Sequence, residues 1–155
     1  MGRYPLLASR VNAVSPRGLA LIKSFESCRL TAYQDQHGVW TIGWGHTGPE
    51  VVAGLWWTQA HADVQLEIDA HGAVNAVNRS LDVAVNQNQF DALVDFTFNL
   101  GAGNEAHSTL LYYINAGNFV SAAAEFPKWN HVGGVPNAGL ARRRAAEQAL
   151  FTSGV

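Results

Sequence analysis

The stretch FESCRLTAYQDQHGVWTIGWGHTG, Phe25 to Gly48, decides how this chain is read. A helix-like run, SPRGLALIKSFES, ends in the carboxylic acid Glu26. Arg29 to Tyr33 then reads as a short strand, and Gln34-Asp35-Gln36-His37-Gly38 supplies the turn chemistry of a hairpin. Val39 to Trp44 is the returning strand and carries the hydroxyl of Thr41. Eight residues separate Glu26 from Asp35, and five separate Asp35 from Thr41.

Upstream of this block, Ser15 is placed to cap a helix with Pro16 at its first position. Leu19, Ile22 and Phe25 recur every three residues and give that helix one apolar face. Residues 1–14, broken by Pro5, read as an N-terminal arm ahead of a single domain over residues 15–155. Downstream, Thr58 caps a long helical segment that Gly72 is expected to interrupt. Helical patterns follow over Gln87 to Leu100, Ser108 to Asn115, Phe119 to Trp129 and Leu140 to Phe151. Gly101-Ala102-Gly103 and Gly133-Gly134-Val135-Pro136-Asn137 read as loops between them. The sum is an α+β fold, a small hairpin lobe on a larger helical lobe, with a cleft expected between the two.

A chain of 155 residues, 48% hydrophobic and 14% charged, can bury a core and is not a disordered composition. Its one cysteine, Cys28, excludes an internal disulfide framework, and with no base motif nearby it reads as filler. The net charge of −2 hides an uneven distribution. Met1 to Pro49 carries Arg3, Arg10, Arg17, Lys23 and Arg29 against Glu26 and Asp35, whereas Glu50 to Glu105 holds eight acids against Arg79. Lys128 to Val155 is basic again, through Lys128 and Arg142-Arg143-Arg144. Two basic segments meeting around Glu26 would attract a polyanionic substrate, although ordinary solvated faces account for them equally well.

Taken singly, the three residues of the opening block are unremarkable. A Glu at a helix end is usually solvated, an Asp before a turn caps it, and a Thr on a strand is ordinary. Spaced together on a helix–hairpin unit they match the needs of inverting glycoside hydrolysis. One acid protonates the leaving oxygen while a carboxylate and a hydroxyl hold the attacking water. The apolar neighbours Phe25 and Leu30 predict desolvation that would keep Glu26 protonated, and polar Gln34, Gln36 and His37 predict an ionised Asp35. Inversion requires carboxyl groups roughly 6.5–9.5 Å apart, against about 5–5.5 Å for retention.

The same block resembles the signature of the phage-type lysozymes, glycoside hydrolase family 24, which includes endolysins of T-even phages. The resemblance continues in order through NQFDALVDFTFNLG (Asn88 to Gly101), STLLYYINAGNFVSAAAEFPKWN (Ser108 to Asn130) and GLARRRAAEQALF (Gly139 to Phe151). It implies a lysozyme-like fold and a muramidase that cuts the β-1,4 bond between N-acetylmuramic acid and N-acetylglucosamine in peptidoglycan, without a cofactor. Glu26 would be the proton donor, with Asp35 and Thr41 handling water. One of Arg142, Arg143 and Arg144 would approach Glu26. Ser27 departs from the Gly that commonly follows the Glu, and Trp44 from the usual Tyr. The mildly acidic balance also departs from the strongly basic members.

Tyr33 and His46 flank the hairpin side of the expected cleft, Gly45 allows close approach of backbone to a sugar chain, and Asn99 ends a helix facing the site. These four are the candidate substrate contacts, against core packing and helix capping as the plainer account of Tyr33 and Asn99. Gly43-Trp44-Gly45-His46-Thr47-Gly48 matches a dinucleotide fingerprint, but Pro49 follows where a helix would have to start. Six histidines form no close ligand pair, so no metal is expected. The three consecutive arginines point in different directions on a helix, which argues against a nucleic-acid patch.

The N-terminus matches neither a signal peptide nor a membrane anchor. The expectation is a monomer that waits in the host bacterial cytoplasm for a holin-type permeabiliser and then acts on the wall. The same Glu could instead serve a lytic transglycosylase, which needs no attacking water, or lie idle in a wall-binding module on a lysozyme fold.

Overall fold

The computed structural model describes residues 10–154. Helix α1, Pro16–Phe25, opens with the expected cap: the Ser15 side chain accepts from the Gly18 N–H at 3.3 Å, and Pro16 sits in the first turn. A three-stranded antiparallel sheet follows, in the order β1 (Arg29–Gln34), β2 (Trp40–Gly43) and β3 (His46–Thr47). The hairpin was legible in the sequence, and the third strand was not. It is only two residues long, too short to show an alternating pattern. Tyr33 pairs with Thr41, and Thr41 with Thr47, so Thr41 is the central residue of the sheet.

The remaining helices are α2 (Gln59–Ser80), α3 (Gln87–Leu100), α4 (Ala102–Ala106), α5 (Thr109–Asn115), α6 (Phe119–Glu125) and α7 (Ala138–Thr152). Helix α2 runs unbroken through Gly72, contrary to the expected interruption. A methyl group at Gly72 would meet nothing within 4 Å, so the glycine costs local stability but no packing. Pro127 converts the end of the sixth helical segment into a 3-10 turn, Phe126–Lys128, because proline cannot donate the next helical hydrogen bond. The glycine-rich stretch near residue 134 is a two-stranded hairpin, β4 (His131–Val132) and β5 (Val135–Pro136), turning through Gly133 and Gly134 at φ +55° and +79°.

Helix α3 is the axis of the molecule. A capping box between Asn86 and Gln89 starts it, and every residue from Gln89 to Thr97 is buried. A helix buried on all sides has the α1, α2 and α7 faces packed around it. Phe90, Leu93, Val94 and Phe96 are fully enclosed, and Phe96 meets Phe126 and Trp129 edge-on at centroid distances of 5.7 and 5.6 Å. Gly18 is where α1 comes closest: a Cβ there would lie 2.8 Å from the Asp91 carboxylate, which in turn accepts from the Ser15 N–H and hydroxyl. A side chain there would have to displace Val14 and the Asp91 carboxylate.

Of the arm expected over residues 1–14, residues 1–9 lie outside the described residues. Arg10 to Val14 lie along the helical lobe. Arg10 donates to the carbonyls of Leu81 and Val83, Asn78 donates to the Asn12 carbonyl at 2.8 Å, and Val11 and Val14 pack on the core.

The sheet is tied to α2 by His46. Its Nδ1 lies 2.8 Å from Asp69 Oδ2 and its Nε2 lies 2.6 Å from Glu50 Oε1, while Trp57 packs beside the ring at 5.5 Å. Burial disfavours the imidazolium, but the Glu50 and Asp69 bonds outweigh it and hold the His46 pKa above its ordinary value. Elsewhere, Glu105 is wholly buried with one oxygen accepting from Ser80 Oγ at 2.6 Å and the other unpartnered. Burial therefore raises its pKa, against the pull of the Ser80 bond.

Two stability measurements check these points. A raised histidine pKa means that the His46 bridge stabilises fully below the unfolded-state value and fades as pH rises through the folded one. Asp69→Asn should cost about 1.5–3 kcal/mol at acidic pH and progressively less above neutrality, read by thermal or urea unfolding. A raised carboxyl pKa likewise makes wild-type stability fall as pH climbs through the folded value of Glu105. Glu105→Gln, of equal size and uncharged, should unfold at a higher temperature than wild type at alkaline pH, with the gap closing in acid.

Candidate active site

Glu26 is the residue at which α1 stops. Its N–H still bonds to the Ile22 carbonyl, but its own backbone is extended at φ −96° and ψ 138°, so the side chain leaves the helix toward the sheet. Ser27 tolerates this exit, because no non-glycine residue among those described has positive φ. Gly45, in the turn between β2 and β3, faces the acid: a Cβ there would lie 3.8 Å from Glu26 Oε2. Gly45 has φ +89°, and this left-handed backbone is what favours glycine there. The neighbouring Trp44 is pinned from behind. Its indole N–H donates to Asp63 Oδ1 of α2 at 2.8 Å, and Asp63 also pairs with Lys23 of α1 at 3.1 Å. The larger aromatic at this position thus couples the turn to both α1 and α2.

The apolar surroundings expected of Glu26 are not what the fold supplies. Leu30 is 37% exposed, and the direct neighbour is the Arg143 guanidinium of α7, with Nη1 donating to Glu26 Oε1 at 2.7 Å. Of the three consecutive arginines, Arg143 is therefore the one that reaches the acid. Its other edge is held by Asp95 of α3, with Nε to Oδ2 at 2.9 Å and Nη2 to Oδ1 at 2.8 Å. Burial disfavours the Arg143 cation, but Asp95 and Glu26 outweigh it and keep the guanidinium charged.

Arg144 is completely buried against Glu147: Nη2 donates to Oε1 at 2.7 Å, and Nε lies 2.7 Å from Oε2 as an ion-pair contact without hydrogen-bond alignment. Burial and the adjacent Asp95 push Glu147 up to about 10 against the attraction of Arg144. Asp95 and Glu147 were not among the candidates read from the sequence. An acid in the middle of an otherwise apolar helix, as in FDALVDFTF, was the available signal.

Asp35 lies at the hairpin turn. Its Oδ1 accepts from the backbone N–H groups of His37 at 2.8 Å and Val39 at 2.9 Å. The Val39 and His37 bonds hold the carboxyl pKa below its ordinary value, so backbone donors of the turn, and not the side chains of Gln34 and Gln36, favour the ionised form. Thr41 is buried, and its hydroxyl donates to the Val39 carbonyl at 3.0 Å, which ties it to the same turn.

The four candidate contacts fare differently. Tyr33 is half-buried under the Arg29 guanidinium, 4.0 Å from its ring centroid, and pairs across the strands with Thr41. Gly45 is exposed beside Glu26. His46 has both ring nitrogens engaged by carboxylates, which leaves its ring face as the part available to a ligand. Asn99 is half-buried with its side-chain oxygen accepting from Arg144 Nη2 at 2.8 Å, leaving its amide group as a donor. A depression of about 410 Å³ runs beside the site between the end of α1 and the start of α7, lined by Ser24, Phe25, Asn137, Leu140 and Arg143. Among the described residues no cluster of His, Cys, Asp or Glu is arranged to hold a metal ion, and no helix is long and apolar enough to cross a membrane.

Known proteins carry the same arrangement of chain. The pattern of the phage lysozyme family matches residues 23–147, which contain the acid, the hairpin and Arg143. The endolysin of Bacillus phage PZA is 48% identical over 145 residues, covering 91% of this chain and 55% of the relative. The endolysin of Salmonella phage P22 is 38% identical, covering 90% of this chain and 98% of the relative. The chain thus spans about half the length of the Bacillus phage endolysins it matches and nearly all of the Salmonella phage one. A crystal structure of a P22 lysozyme mutant superposes with a TM-score of 0.86 at 36% identity, over 92% of this chain and all of that one. The muramidase domain of SpmX from Asticaccaulis excentricus gives 0.85 at 39% identity, over 92% of this chain and 99% of that domain. The α+β architecture is therefore a lysozyme fold, and the chain belongs to the phage lysozyme family.

Proposed function

We propose that this protein is an endolysin-type muramidase of glycoside hydrolase family 24. It hydrolyses the β-1,4 bond between N-acetylmuramic acid and N-acetylglucosamine in peptidoglycan. The observation that carries this reading is the meeting of three elements at Glu26: the end of α1 delivers the carboxyl, the glycine turn of the sheet lies against it, and Arg143 fixes one of its oxygens. Family membership and relatives named endolysin support the same assignment.

In this mechanism Glu26 protonates the glycosidic oxygen as the bond breaks. Asp35 stays ionised and, with the Thr41 hydroxyl, orients a water on the opposite face of the sugar ring. That water becomes the new anomeric hydroxyl with inverted configuration, and its proton passes to Asp35. The two backbone bonds fall on Asp35 Oδ1, so Oδ2 is the oxygen assigned to the water. Tyr33 and the Gly45 backbone line the sugar path, the Asn99 amide donates to the substrate, and His46 acts chiefly by holding the β3 edge against α2. The enzyme works as a monomer without a cofactor. It accumulates in the host bacterial cytoplasm and gains access to the wall when a holin-type partner permeabilises the membrane.

Digestion of purified peptidoglycan, with products resolved by mass and anomeric configuration, tests the assignment. Wild type should release reducing muramic acid ends of inverted configuration. Glu26→Gln should lower the rate by about 10²–10⁴-fold while leaving the fold intact, and Asp35→Asn should also be severely slowed. Anhydro-muramic ends would instead identify a transglycosylase, and absence of cleavage by wild type would leave a wall-binding module.

A further inference from the structure

Arg143 touches two carboxylates at once, and only one of them belongs to the reaction. Its Nη1 goes to Glu26, while Nε and Nη2 form a paired contact with Asp95, which is wholly buried on α3. An arginine pointed at a general acid is a mixed benefit. It orients the carboxyl, but its positive charge favours the ionised form, which has no proton to give. A second carboxylate on the same guanidinium changes this balance, since the cation is then shared and the two acids also repel each other's charge. We propose that Asp95 is a positioning residue for the Glu26 acid. It locks the Arg143 fork so that one donor reaches Glu26, and it shares the cation so that less of its charge falls on the acid. This inference rests on the acid role given to Glu26 above.

Arg142 lines the depression beside Arg143, and the charged groups on the other elements that meet here have partners of their own. Lys23, one turn earlier on α1, is paired with Asp63 of α2. Arg144 and Glu147 of α7 bind each other, with Glu147 Oε1 4.0 Å from Arg143 Nε. His46 on β3 lies between Glu50 and Asp69, Arg29 of β1 stacks on Tyr33, and Asp35 is held by its own turn. Among the described residues, Asp95 is the one carboxylate that shares hydrogen bonds with the guanidinium that bonds Glu26.

The test is a titration of the Glu26 carboxyl carbon by NMR in substrate-free wild type, Asp95→Asn and Asp95→Glu, alongside the pH–activity profile. Asp95→Asn keeps the size of the side chain and removes its charge. The Glu26 midpoint should fall by about one pH unit. Because a general acid loses activity as pH rises through its midpoint, the alkaline limb of the profile should move to lower pH by the same amount. Asp95→Glu, which retains the charge, should restore the limb toward wild type. A role confined to stability would lower the melting temperature and leave both midpoints in place, and that result would overturn the proposal.

Should Asp95→Asn fail to fold, Arg143→Gln supplies the converse, with the Glu26 midpoint expected to rise. No change there would be equally fatal. The carboxyl titration needs no substrate, so it remains decisive even if peptidoglycan proves not to be cleaved.

Discussion

The site depends on one guanidinium. Arg143 is 4% exposed, and its five N–H donors lie in a plane that matches two carboxylates on different elements. Through it α7 is joined to α3 by Asp95 and to the end of α1 by Glu26. Burying a cation costs several kcal/mol unless its partners are fixed and well aligned. Here both partners are fixed, because Asp95 rides on the most deeply buried helix and Glu26 sits where α1 has just released its last hydrogen bond. A lysine would not replace it, since an ammonium lacks the planar fork that pairs with both Asp95 oxygens while a third N–H reaches Glu26.

The helical lobe around this contact combines apolar packing with a thin layer of charge. Phe90, Leu93 and Phe96 fill one part of the α3 surroundings, while Asp91 and Asp95 on the same helix face α1 and α7. Asp91 fastens the start of α1 through Ser15, and Asp95 fastens its end through Arg143 and Glu26. Both ends of the short helix that delivers the acid are therefore referred to α3. Gly18 between them allows the close approach.

The sheet side is held differently. His46, Trp57, Asp63 and Asp69 link β3 and its preceding turn to α2 by ion pairs and a ring contact that remain partly open to solvent. Bonds of this kind respond to pH and salt more readily than the buried fork does. The glycine turn facing Glu26 is thus attached through the more labile of the two connections. Asp35 and Thr41 need no distant partner, because their turn and strand neighbours supply every contact described for them.

Local chemistry was what the sequence could express. The Ser15-Pro16 cap, the turn from Gln34 to Gly38 and the 3.6-residue pattern of Gln87 to Leu100 each depend on neighbours within a few positions, and each formed where its residues indicated. Gly72 was misleading for the same local reason: an intrinsic preference of about 1 kcal/mol yields to the packing of a 22-residue helix. The spacing of Glu26, Asp35 and Thr41 likewise marked the candidate site, because one helix and one hairpin carry all three. What the tertiary structure decided was the environment of the acid. Arg143 and Asp95 lie 117 and 69 positions beyond Glu26, and three adjacent arginines look alike in a one-dimensional string. Only the rotation of α7 against α3 selects which of them is buried between two carboxylates, and that rotation is set by how the whole core packs.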